Sequence, residues 1–159
     1  MKLVYDLETN GLLSTVDTIW CMVAVDIDDN NKVYSYSDYD DNLPNMDEGI
    51  KLLRSADALI GHNIVNYDGP VIRKLLGINL YEEVKHLDTL IMSRVFNYAL
   101  PGGHSLKNWG KILGNAKISY DDWSGYSQEM LDYCVQDVMV NVEIFHRLMG
   151  HFKSLMKKN

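Results

Sequence analysis

Two cysteines, three prolines and no long apolar run in 159 residues exclude several classes of protein at once. Cys21 and Cys134 both lie inside apolar segments. They read as buried free thiols of a reducing compartment, not as a disulfide framework. No stretch approaches the roughly 20 apolar residues of a membrane span, and no basic leader precedes an apolar run at the N-terminus. A cytoplasmic location is the expectation. Repeats, linkers and low-complexity tracts are also missing. Basic charge is scarce: 15 Lys and Arg stand against 22 Asp and Glu, for a net charge of −7. That argues against a protein holding nucleic acid on a broad basic face. It leaves room for a nucleic-acid enzyme, because two bound divalent cations would bring −7 to −3.

What is present fits one soluble domain over 1–159, long enough to bury a core without disulfides or structural metals. Leu3 to Gly11 begins as a short strand. Successive side chains of an extended chain alternate faces, so Leu3, Tyr5 and Leu7 point one way and Val4, Asp6 and Glu8 the other. A strand apolar on both sides up to Tyr5 looks central in its sheet. Two same-face carboxylates there demand compensation, and a divalent cation is the usual answer.

Thr18 to Ile27 reads as an apolar strand, Asp28 to Asn31 as a turn and Lys32 to Ser37 as the returning strand of a hairpin. Asp47 to Ser55 has helical spacing, and Ala58 to Gly61 is a buried strand. Asp68-Gly69-Pro70 opens a helix that Gly77 stops. Leu87 to Asn97 reads as a further helix. Pro101-Gly102-Gly103 marks a mobile loop, and Ser105 caps a helix running through Leu113 to Gly114. Apolar residues three or four apart from Leu131 to Met156 make a long amphipathic helix beginning near Ser127. The pattern is α/β, with a mixed sheet flanked by helices.

Candidate chemistry lies in four acids and one phenol. Tyr133 and Asp137, four residues apart, share one face of the last helix, away from the centre of its apolar stripe. Alone, that spacing is commonly a solvated acid beside a packing ring. Asp68 alone is commonly a plain N-cap, and Asp6 with Glu8 an edge-facing acidic pair. Their joint occurrence, in this order and on these elements, points to a site at strand ends, where open α/β sheets place ligands.

With these motifs set out, the sequence resembles the DEDD 3′-to-5′ exonucleases of the ribonuclease H-like fold, over nearly its whole length. Asp6-Leu7-Glu8 resembles the family's first motif, Asn63 through Tyr67-Asp68 its second, and Tyr133 through Asp137 its third. A tyrosine four before the last Asp resembles the DEDDy branch. The sister branch has a histidine five before it, where this chain has Asp132. The second motif, Leu87 to Arg94 and His104 to Gly110 look most like the proofreading domain of podovirus-type family A DNA polymerases. The chain departs from that pattern in that no polymerase domain follows Asn159. Met1 and the Lys-rich end lead to the expectation of a complete chain, with a separate DNA polymerase as a candidate partner.

The resemblance implies a mixed sheet of about five strands, the first three antiparallel. It also implies two divalent cations, Mg2+ or Mn2+, since oxygen-rich acidic ligands select hard ions. Two such ions a few ångströms apart can neutralise the phosphoryl oxygens, activate water and stabilise the leaving 3′-oxygen. By resemblance Asp6 bridges both ions, Glu8 and Asp137 complete the site of the water-activating ion, and Asp68 holds the second. Tyr133 orients the attacking water, since a phenol with an ordinary pKa near ~10 is a poor base. Thr9 and Leu12 match positions that grip and wedge the 3′-terminal nucleotide, and Asn63 one that holds the strand. His104, beside the glycine loop, is a further candidate substrate contact. His62 is expected to be structural and Trp109 core, and the Asp40-Asp41 and Asp121-Asp122 pairs to be surface turn acids. The expected activity is removal of nucleoside 5′-monophosphates from DNA 3′ ends, linked to proofreading or replication, for instance in a phage. Alternatives are a stand-alone exoribonuclease of the same branch and a non-catalytic binding module for a polymerase.

Overall fold

A computed structural model describes residues 1–115 and 118–158. Among them, β1 (Lys2–Thr9), β2 (Ile19–Asp26), β3 (Lys32–Tyr36), β4 (Ala58–Gly61) and β5 (Lys85–Asp88) form one sheet in the order β3-β2-β1-β4-β5. The β1–β2 and β2–β3 pairs are antiparallel, whereas β1–β4 and β4–β5 are parallel. The expected mixed sheet with an antiparallel opening is therefore present, and β1 is its central strand. Because β1, β4 and β5 run the same way, Thr9, Gly61 and Asp88 end at one edge.

The alternation along β1 sorts the core into two layers. Leu3, Tyr5 and Leu7 pack with residues of α1 (Met46–Arg54), α2 (Asp68–Leu76) and α3 (Leu80–Glu83). Val4, on the opposite face with Asp6 and Glu8, packs with Cys21, Val23, Val25 and the long α6 (Gln128–Met156). A third cluster joins Val140, Ile144 and Leu148 of α6 to Trp109 of α5 (Leu106–Ile112), with Met92 and Phe96 of α4 (Thr89–Phe96) against it. Helix α6 thus buries a broader arc than one stripe, because it is covered by the sheet on one side and by α4 and α5 on the other. Its end emerges from the body, and Met156 is exposed.

One expected element is corrected. Leu87 and Asp88 do not begin a helix: they end β5, and the helix starts at Thr89. Asp88 explains the switch. Its carboxylate accepts hydrogen bonds from the amides of Leu90 (2.9 Å), Asn63 (2.9 Å) and Val65 (3.0 Å). It caps α4 and also fixes the loop after β4. Short α3 likewise escaped the sequence reading, since four residues carry no periodicity. Elsewhere the expected cap forms, with Ser105 accepting from Asn108 N; Ser127, read only as the approximate start of the last helix, proves to cap it by accepting from Met130 N, and Gly77 ends α2 at φ 70°.

Replacing Asp88 by Ala leaves three buried or half-buried amides without their acceptor. It is expected to cost on the order of 3 kcal/mol in urea unfolding, with Asp88→Asn, which keeps one acceptor oxygen, costing less.

Candidate active site

The edge where β1 and β4 end gathers all four predicted acids. Asp6 and Glu8 project from β1 on the α6 side, and their carboxylate oxygens lie within 4.8 Å of each other and of the Cys134 sulfur. Asp137 is buried on α6, one turn after Tyr133 and three residues after Cys134. It is thus closer to the packed face of that helix than its sequence position suggested. Asp68 reaches the same edge from α2. Tyr67, not Asp68, occupies the N-cap position and makes no side-chain cap there. The Asp68 carboxylate instead accepts from the Leu7 amide of β1 at 3.2 Å, which ties the start of α2 to the strand carrying the other two acids.

Packing these groups together has an electrostatic cost. Burial, then the charges of Asp68, Glu8 and Asp137, push the Asp6 carboxyl well above the ordinary carboxylate range. Burial likewise pushes Asp68 up to about 7, against the hydrogen bond from Leu7 that favours its charged form. Such a cluster of repelling, desolvated oxygens is relieved by a cation. The donors are hard oxygens, which suits magnesium or manganese. Cys134 does not change that preference. Its thiol is pushed upward by burial and lies against Asp6, 3.7 Å from its carbonyl and 3.9 Å from Oδ2, as a weak donor. The residues present therefore fit a divalent centre held by Asp6, Glu8, Asp68 and Asp137.

Beside the acids lies a cleft of about 420 Å3 lined by Glu8, Thr9, Leu12, Tyr67 and Trp123, among others. That is the size of a small-ligand pocket. The two predicted terminal-nucleotide residues are both here. Leu12 projects from the loop after β1, 76 % exposed. Thr9 is buried, and its hydroxyl contacts the Tyr67 hydroxyl, which in turn donates to the Gly11 carbonyl. Tyr67 thus braces the cleft wall, a role its motif position alone did not reveal.

The other two predicted contacts have structural work of their own. Asn63 sits at φ 66°, a conformation that asparagine tolerates better than most side chains, with its amide on Asp88. His104 spends both ring nitrogens internally, on the Ser93 hydroxyl (2.7 Å) and the Tyr98 carbonyl (3.1 Å). Trp109 donates to the same Ser93, and His62 bonds to Thr89 and to the His104 carbonyl. This network anchors the glycine loop, so the structure gives His104 a bracing role and does not place it in the cleft lining. Trp109 is core, as expected. Asp40 is a turn acid that also accepts from Tyr126 (2.7 Å).

Trp123 went unread in the sequence. Its indole nitrogen donates to Glu8 Oε2 at 3.0 Å across 115 residues of chain. The available signal was a tryptophan flanked three residues away on each side by Tyr120 and Tyr126 in an otherwise polar turn.

A family description matches the chain from residue 3 to residue 149, that of the RNase H superfamily. The chain belongs to the RNase H superfamily. Curated relatives include the DNA-directed DNA polymerases of Enterobacteria phage T3, 29 % identical, and Escherichia phage T7, 28 % identical; each match takes in 93 % of this chain and 26 % of the polymerase. The chain thus spans about a quarter of the length of these relatives. Among solved structures, Brucella melitensis NrnC with bound Mg2+ superposes with a TM-score of 0.71 at 22 % identity, covering 96 % of this chain and 74 % of NrnC. E. coli Exonuclease I in complex with a dT13 oligonucleotide gives 0.68 at 16 % identity, covering 99 % of this chain and 42 % of that one. The structural likeness bears on the fold, and it agrees with the superfamily assignment. Among the described residues, no helix is long and apolar enough to cross a membrane.

The raised carboxyls set a pH dependence in the absence of metal. A group whose folded-state pKa lies above its unfolded value stabilises the fold below the unfolded value, and that stability is lost as pH rises through the folded one. For Asp68 the window runs from about 4 to about 7. The metal-free melting temperature is expected to fall by roughly 5 °C or more between pH 5 and pH 8. Mg2+ or Mn2+ is expected to restore it at pH 8 and to have little effect at pH 5, as read by scanning calorimetry with and without chelator.

Proposed function

We propose that this chain is a metal-dependent 3′-to-5′ exonuclease that removes nucleoside 5′-monophosphates from DNA 3′ ends. The observation that carries the reading is the convergence of Asp6, Glu8, Asp68 and Asp137, from one strand and two helices, beside a nucleotide-sized cleft. Two divalent ions bound there would neutralise the scissile phosphate and supply an activated water. The protein's part would be to hold them through the carboxylates of Asp6, Glu8, Asp68 and Asp137. Tyr133 orients the attacking water through its phenol. Thr9 and Leu12 hold the terminal nucleotide by contact with sugar and base face, which requires no base identity. Asn63 and His104, placed in bracing roles, act on the strand through the loops they fix.

Support for DNA comes from the phage polymerases, proteins that make DNA and that share this segment. The proposed setting is proofreading or replication, with a DNA polymerase as the proposed partner. RNA is a second reading with its own observation, because one superposable NrnC structure is bound to pGG, at a TM-score of 0.70. Acid chemistry at the phosphate does not distinguish ribose from deoxyribose. A catalytically silent binding module is disfavoured by the presence of all four acids and Tyr133.

Matched 5′-labelled single-stranded DNA and RNA should separate these readings. The expected result is Mg2+-dependent shortening of DNA from the 3′ end, with mononucleotide products and slower digestion of RNA. Faster RNA digestion would transfer the activity to the second reading, and digestion of neither would favour the binding module. Asp6→Ala and Asp137→Ala are each expected to lower the rate by more than about 100-fold, the upper end for losing a group that only orients a metal ligand. Tyr133→Phe is expected to lose on the order of 10- to 100-fold, mainly in kcat, since the water loses its alignment and the metal ligands remain.

A further inference from the structure

The strongest feature left unexplained by the four acids is the contact that covers one of them. Glu8 supplies an oxygen to the cluster with Asp6, and its Oε2 accepts from the Trp123 indole at 3.0 Å. Trp123 belongs to segment 118–127, outside any strand or helix. Its ring packs edge-on against Tyr120, at 5.4 Å and 85°, and against Tyr133, at 6.4 Å and 85°. The segment is pinned from outside the cleft. Trp20 donates to the Trp123 carbonyl at 3.0 Å, and Tyr126 holds Asp40. Despite these ties Trp123 is 37 % exposed, and it lines the cleft with Thr9, Leu12 and Tyr67.

We propose that Trp123 is a positioning residue with two jobs: its indole N–H aims the Glu8 carboxylate at the metal centre, and its exposed ring walls the pocket that receives the 3′-terminal base. This rests on the exonuclease reading above. A glutamate's terminal torsion is soft and roughly two-fold, so a carboxylate at the end of β1 needs an external partner to fix its plane. An indole N–H can only donate, which matches a carboxylate oxygen such as Glu8 Oε2, and a carboxylate has a second oxygen that could serve as a metal ligand. Groups that orient metal ligands in this way carry much of a site's affinity. The ring supplies the second job because a base can stack on any aromatic face without being read. The edge contact to Tyr133 ties the metal-orienting tryptophan to the water-orienting phenol, so one segment sets both.

Three variants separate the jobs. In W123F a smaller aromatic ring remains and the N–H is lost; in W123A both go; in Y126F the tie to Asp40 is released and the Glu8 contact is untouched. Mn2+ affinity is measured without substrate by paramagnetic resonance titration, and KM for single-stranded DNA at saturating Mn2+. W123F is expected to weaken Mn2+ binding by about 10-fold or more while KM stays near that of the parent. W123A is expected to weaken Mn2+ equally and also to raise KM by about 10-fold, the effect of losing one stacked base. Y126F should bind Mn2+ as the parent does. Parental Mn2+ affinity in W123F overturns the proposal, as does an equal loss in Y126F, which would trace the effect to the segment's anchoring. If the parent digests neither DNA nor RNA yet the Mn2+ pattern holds, it is the exonuclease reading that fails and the Glu8 role that stands.

Discussion

Four carboxylates at the end of one buried strand pair are the constraint on which the molecule turns. Asp6 and Glu8 are placed by the alternation of β1, the central strand, where Glu8 is buried and Asp6 half-buried. Asp68 is held against the strand by the Leu7 amide, and Asp137 is brought down by the packing of α6 on the same face. Each raises the cost of ionising its neighbours. The apolar layers around them, Leu3, Tyr5 and Leu7 on one side and Val4, Cys21 and Val23 on the other, supply the stability that lets the cluster persist. A cation is the species that turns this repulsion into binding.

Around that centre the chain is built to hold loops still. Asp88 serves three amides, Tyr67 braces the loop after β1, and the Ser93, His104, Trp109 and His62 network fixes the glycine loop to α4 and α5. Tyr67 also lines the cleft, whereas the others lie outside its lining. They define the cleft in which Thr9, Leu12 and Trp123 stand, which is consistent with a site whose precision comes from bracing more than from direct contact.

Much of this was legible in the sequence because it is periodic or local. Alternation along β1 placed Asp6 and Glu8 on one face, Gly77 and Ser127 marked helix ends, and the spacing of Tyr133 and Asp137 put both on one side of α6. The count of about five strands with an antiparallel opening came with the resemblance to the exonucleases, whereas the order β3-β2-β1-β4-β5 comes from the structure, since hairpin and crossover signals alone do not number the sheet. What stayed hidden depends on distant pairings. Lys85 to Asp88 is too short to show a strand period, and it borrows its conformation from β4. Asp88 looked like part of a helix because its partners at Asn63 and Val65 are more than twenty residues away. Asn63 and His104 were read for substrate on motif position, whereas backbone conformation and ring hydrogen bonds show what they hold internally. Trp123 meets Glu8 across 115 residues, and no local pattern announces such a bond.

The claim that the four acids form a two-ion centre is tested most directly by crystals grown with Mn2+ and examined by anomalous scattering. The account predicts two peaks at the β1 edge, both in contact with Asp6, one shared with Glu8 and Asp137 and the other on the Asp68 side. An empty edge at saturating Mn2+, or an ion held by Cys134 without Asp68 or Asp137, would contradict it.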